Sequence, residues 1–123
     1  MTRLVLALFG GFSVTLDGEA VTGFDSNKVR ALLAYLAVEA DQTHRRESLA
    51  ALLWPEYPAH SARTTLRKTL YSLRNVIRDR VADPPFLFIH RDTLQFNAES
   101  DSWLDVDVIE QMRRHVDTVP TAQ

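Results

Sequence analysis

The residues best suited to chemistry are cationic and closely spaced. Arg63, Arg67, Lys68, Arg74, Arg78 and Arg80 crowd one stretch against the single carboxylate of Asp79. If that stretch is helical, a rotation of about 100° per residue places Arg63, Arg67, Arg74 and Arg78 on one flank. Thr64, Lys68, Tyr71 and Asn75 then point away from an apolar stripe of Ala62, Leu66, Thr69, Leu70, Leu73 and Ile77. Guanidinium groups bind phosphate or the edge of guanine in bidentate fashion, Asn pairs with adenine, and Thr or Tyr supplies single contacts. An α-helix also matches the width of the major groove. A solvated arginine-rich face is the competing explanation, since arginine is a good helix former.

Other cations sit where a helix by itself disfavours them. Lys28 opens one predicted helix, and Arg45 and Arg46 open another. The helix macrodipole prefers negative charge at that end. An external phosphate would bind both the free amides and the cations there; local neutralisation by Asp25 and Glu47 is the alternative. Arg91, at the tip of a predicted hairpin, is placed to enter a minor groove, whose negative potential draws arginine.

Catalytic motifs are missing. His44, His60, His90 and His115 are dispersed, with no helical metal-site spacing, and Gly10-Gly11 lacks the Gly-Lys-Ser/Thr of a phosphate loop. No nucleophile-elbow motif is present. The chain has no cysteine, which removes disulfides, thiolate zinc sites and cysteine nucleophiles, and suits a reducing cytosol. No catalytic, metal-binding or cofactor-binding residues are expected, and the predicted location is cytoplasmic.

Several elements must position these side chains. Leu4 to Phe9 and Phe12 to Leu16 read as strands, and Asp17-Gly18 favours a tight turn into a third strand, Glu19 to Val21. Arg3 and the apolar run after it have the outline of a secretory signal, but Gly10 and Gly11 divide the run and Phe12, Val14 and Leu16 alternate with polar residues. Two strands account for more of the pattern. No apolar run reaches the roughly 18 residues needed to span a bilayer, so no membrane partner is expected.

Val29, Leu32, Leu33, Leu36 and Ala37 recur at helical spacing after Ser26, a candidate cap, and this first helix ends near Glu39. Asp41 to His44 read as a polar connection. A second helix carries Leu49, Leu52 and Leu53 on one face and closes at Trp54-Pro55. The longest helix is predicted from near Ala59 to Asp79. Pro84-Pro85 follows, then a hairpin of Phe86 to His90 and Leu94 to Asn97, with Phe86, Phe88, Leu94 and Phe96 facing a core. Beyond residue 100 the balance turns acidic, and Asp105 is a candidate cap for a helix bearing Val108, Ile109, Met112 and Val116. A fold of residues 1–100, with 101–123 opening a linker or further helical unit, is therefore expected. With 123 residues, 46% apolar and 24% charged, one compact domain can bury a core.

The blocks SNKVRALLAYLAVE, RRESLAALLWPE, SARTTLRKTLYSLRNVI, FLFIHRDTLQFN and WLDVDVIE, in that order, resemble the N-terminal region of the Streptomyces antibiotic regulatory protein family. The DNA-binding domain of that family is similar to that of OmpR-type response regulators. The resemblance implies an α+β winged helix-turn-helix: an N-terminal antiparallel sheet, a three-helix core and a C-terminal wing hairpin. It implies an activator of transcription that binds double-stranded DNA. Contacts would come from Arg63, Thr64, Arg67, Lys68, Tyr71 and Arg74 on the third helix. It further implies contact with RNA polymerase through Trp54 to Pro58, paired binding to direct repeats, and a tetratricopeptide-like activation domain beginning near Trp103. No receiver domain precedes the sheet, so control is expected from parts C-terminal to the domain. A winged-helix module that binds another protein is the alternative function.

Overall fold

The computed structural model describes residues 3–9 and 11–105. Strand β1 (Leu4–Ala7) buries Leu4 and Leu6, and β2 (Ser13–Leu16) buries Val14 and Leu16. Their antiparallel register sets Leu4 opposite Leu16 and Leu6 opposite Val14, so the alternating leucines and valine share the inner face. Asp17 and Gly18, with φ of 54° and 85°, form the predicted tight turn into β3 (Glu19–Ala20).

The sheet departs from expectation at its other edge. Strand β7 (Ser102–Leu104) runs parallel to β1, with Ser102 opposite Leu4 and Leu104 opposite Leu6, giving the order β3-β2-β1-β7. The first sheet is therefore mixed, and it continues past the boundary expected at residue 100. Three residues are too few to display an alternating pattern, and only Leu104 of the three is buried. The helix expected to carry Val108, Ile109, Met112 and Val116 lies outside the described residues.

Helix α1 (Asn27–Val38) buries the predicted stripe of Val29, Leu32, Leu33, Leu36 and Ala37. Ser26 occupies the cap position in extended backbone, without a side-chain capping bond. A short strand, β4 (His44–Arg45), follows where only a connection was expected; it leads directly into α2 (Arg46–Leu53). Leu49 and Ala50 are buried and Leu53 is half-buried, but Leu52 is 54% exposed. Helical rotation places Ala50 and Leu53 on one side of Leu49 and Leu52 on the other, so the three leucines do not share a face.

Helix α3 (Ala59–Val76) is the longest, about 27 Å at the usual rise. It packs against both α1 and α2 and buries Ala62, Leu66, Thr69, Leu70 and Leu73. The Thr69 hydroxyl donates to the Thr65 carbonyl at 2.9 Å, which satisfies it within the core. The helix ends three residues before the predicted Asp79, because Arg78 adopts the left-handed φ of 56° and the chain tightens into a 3₁₀ turn at Asp79–Val81.

Asp79 is buried and joins α3 to the second sheet. Its carboxylate accepts the N–H groups of Phe86 at 2.9 Å and Leu87 at 3.0 Å, and Arg74 Nε lies 3.3 Å away. Two successive amides on one oxygen break the strand alternation. Phe86 and Leu87 both turn inward, and Phe88, expected in the core, is 40% exposed. Strands β5 (Leu87–Ile89) and β6 (Thr93–Phe96) then form the predicted hairpin, with β4 paired to β6 in the order β4-β6-β5. Leu94 and Phe96 face the core as expected. The result is a mixed α+β fold with three helices and two small sheets.

This packing sets the expected cost of three substitutions. Leu70→Ala is expected to destabilise the chain by about 2 to 5 kcal/mol in urea denaturation, as buried leucine truncations do. Asp79→Ala should cost about 2 to 6 kcal/mol, since two amides lose their acceptor at about 1 to 3 kcal/mol each. Asp79→Asn keeps an acceptor oxygen, and the same denaturation curves should show a smaller loss.

Candidate nucleic-acid interface

A surface cleft of about 400 Å³ is lined by Arg45, Arg46, Glu47, Arg63, Leu66, Arg67, Arg91 and Asp92. Three elements and one turn bring these groups together. Arg63 and Arg67 lie one turn apart on α3, next to the buried Ala62 and Leu66 that fix the helix's rotation. Arg45 ends β4, opposite Thr93 of β6, and Arg46 begins α2. Arg91 belongs to the turn between β5 and β6.

Five guanidinium groups thus face two carboxylates. Glu47 lies 3.6 Å from Arg45, with both side chains about 70% exposed, so solvent screens the pair and it neutralises little. Arg46 is half-buried and donates from Nε and Nη2 to the His90 carbonyl at 3.2 and 2.9 Å. Burial lowers its pKa from the ordinary arginine value, and the charge of Arg67 lowers it further, while Asp92 opposes the shift. Arginine nonetheless keeps its proton at neutral pH. The cleft therefore holds excess positive charge that an anion would relieve.

The outer crest of α3 continues from this cleft. Lys68 and Tyr71 are exposed, and the Thr64 hydroxyl donates to the His60 carbonyl at 3.1 Å, leaving its oxygen free to accept. Farther along, Arg80 stacks over the Tyr71 ring at 5.0 Å and donates from Nη1 to Asn75 Oδ1. Arg80 belongs to the cationic stretch of the sequence but is not one of the contacts expected from it. Only the left-handed turn at Arg78 folds it back onto the crest, and no local pattern announces that turn.

Other cations expected to contact DNA lie elsewhere. Lys28 Nζ donates to the Leu53 carbonyl at 2.6 Å, beside the Trp54 ring, and so caps the C-terminal end of α2. Asp25, the expected neutraliser of Lys28, accepts instead from Ser72 Oγ at 2.8 Å. Arg74 is held by Asp79. Arg78 borders the β2–β3 turn with Val76 and Asp17. The loop after α2 forms a separate, more apolar groove with Ala50, Ala51, Trp54, Pro55 and Tyr57, which meets the cationic cleft at Glu47 and Arg63.

Among the described residues, no group of three or more His, Cys, Asp or Glu side chains is placed to hold a metal ion. No helix among them is long and apolar enough to cross a membrane.

No family model matches the chain. It is similar to the transcriptional regulatory protein EmbR of Mycobacterium bovis and of Mycobacterium tuberculosis, with 30% identity over 82 residues, or 67% of this chain. The chain spans about a fifth of the length of these curated relatives, 21%. Among solved structures, it is similar to Mycobacterium tuberculosis EmbR in complex with a low affinity phosphopeptide. That match has a TM-score of 0.65 and 26% identity, and covers 79% of this chain and 26% of the other. The α+β arrangement with three helices thus matches part of EmbR, and the matched relatives are transcriptional regulators.

Proposed function

We propose that this chain is the sequence-specific DNA-binding domain of a bacterial transcriptional activator, an OmpR-type winged helix-turn-helix. The observation that carries this reading is the convergence of five arginines from β4, α2, α3 and the β5–β6 turn on one cleft beside an exposed helix crest. The N-terminal half of α3 enters the major groove. Arg63, Thr64, Arg67 and Lys68 then meet base edges and phosphates, with Tyr71 and Asn75 following along the crest. Arg45 meets a phosphate at the start of α2, and the β5–β6 hairpin is the wing that carries Arg91 to the minor groove. Lys28, Arg74 and Arg78 add long-range positive potential while their head groups serve the fold or lie outside the cleft. Similarity to EmbR supports a domain like that of the Streptomyces antibiotic regulatory proteins.

The same family reading gives the loop from Trp54 to Pro58 to RNA polymerase, and its half-exposed Tyr57 and apolar groove suit a protein contact. It also implies a cytoplasmic regulator without catalytic activity that binds direct repeats in pairs. Residues beyond the sheet would then lead into a helical activation domain.

The second reading is a protein-interaction module. The junction of the cationic cleft with the apolar groove favours it, as does the phosphopeptide complex of the EmbR chain it resembles. Titration of duplex DNA at several salt concentrations separates the two. About four to eight phosphate contacts should give a slope of log affinity against log salt of roughly −4 to −7. A flat response rejects the DNA-binding reading.

Arg67→Ala and Lys68→Ala should each weaken duplex binding by about fivefold to 150-fold, equivalent to about 1 to 3 kcal/mol. Arg3→Ala, at a pair with Asp101 on the first sheet, should leave binding within about twofold. Equal losses at all three positions, read by fluorescence anisotropy, would show that α3 does not face the DNA.

A further inference from the structure

The turn that carries Arg91 has two residues, Arg91 and Asp92. Ile89 pairs with Leu94, and the His90 N–H donates to the Thr93 carbonyl at 3.0 Å. Two-residue hairpins ordinarily use turns with positive φ at one or both central positions, whose twist matches the flanking strands. Neither Arg91 nor Asp92 has positive φ, in contrast to the Asp17-Gly18 turn of the first sheet. The backbone at the tip therefore lacks the usual built-in match and is held from outside.

One residue does the holding on both sides of Arg91. The Arg46 N–H donates to the Asp92 carbonyl at 2.9 Å, and its guanidinium donates twice to the His90 carbonyl. Arg46 is itself fixed, because it starts α2 immediately after β4, which is paired to β6. We propose that Arg46 is a positioning residue: it locks the wing tip so that Arg91 projects beside Arg63 and Arg67, and it does not itself take a phosphate. The Nε and Nη2 edge that would grip a phosphate in bidentate fashion is occupied by the His90 carbonyl. Half-burial and the neighbouring charge of Arg67 also set it apart from the exposed Arg45, Arg63 and Arg91.

The role in DNA binding rests on the function proposed above; the anchoring of the turn does not. Arg46→Lys separates anchor from contact, because it keeps the charge but replaces the forked donor with a single ammonium. In the 123-residue chain without DNA, this substitution should speed amide hydrogen exchange at His90 by about tenfold. The amides of Leu66 to Leu73 in α3 should remain unchanged, which also reports that the variant is folded. Arg46→Gln, which can still donate once to His90, should give a smaller effect. Unchanged exchange at His90 in both variants overturns the anchor.

With duplex DNA, Arg46→Lys and Arg91→Ala should weaken binding by similar factors, and the double variant should be no weaker than Arg91→Ala alone. The salt slope should fall by about one in Arg46→Lys although no charge is lost. Wild-type affinity in Arg46→Lys, or losses that multiply in the double variant, would make Arg46 an ordinary contact and overturn the positioning role. If the unsubstituted chain ignores duplex DNA, the DNA-binding function falls and with it the role at the groove, while the exchange measurement still decides the anchor.

Discussion

Burial of one apolar stripe on α3 governs the rest of the molecule. Ala62, Leu66, Leu70 and Leu73 leave water by packing against α1 and α2, and a helix has no freedom to turn one face inward without turning the opposite face out. Arg63, Arg67, Lys68 and Tyr71 are exposed for that reason. The hydrophobic effect thus sets the geometry of the charged surface without any interaction among the charges themselves.

The hairpin against this helix is fastened at two levels. At its base, the Asp79 carboxylate binds two strand amides and the Arg74 guanidinium, in a buried setting where an unpaired donor is costly. At its tip, Arg46 bonds to backbone on either side of Arg91. Residues of the same type therefore do different work in one small domain: Arg74 and Arg46 bond to a buried carboxylate and to turn carbonyls, whereas Arg63, Arg67 and Arg91 are left exposed. Composition alone makes all five look alike.

That difference marks where sequence reasoning succeeds. The stripe of α3, the leucines of α1, the Asp17-Gly18 turn and the β5–β6 hairpin were legible because period and turn chemistry are local properties. The short strands β4 and β7 were not, since two or three residues carry no period and exist only through partners distant in sequence. The cluster of Arg45, Arg46, Arg63, Arg67 and Arg91 was legible as residue types with helix and hairpin positions. Its separation from Lys28, Arg74 and Arg78 was not, because that depends on a left-handed residue, a buried carboxylate and the free carbonyls at the end of α2.

The parallel pairing of β7 with β1 has a consequence for how the chain acquires its shape. Nearly the whole described sequence separates Leu4 from Ser102, so this contact closes one of the longest loops among the described residues, whose closure entropy must be met before the pairing can reward it. During synthesis, β1 leaves the ribosome long before its neighbour exists, with one edge bare while the three helices are still being made. The N-terminal sheet cannot be completed until residues 102–104 have been made, and until then its leucine-rich first strand has an edge open to pairing with other nascent chains.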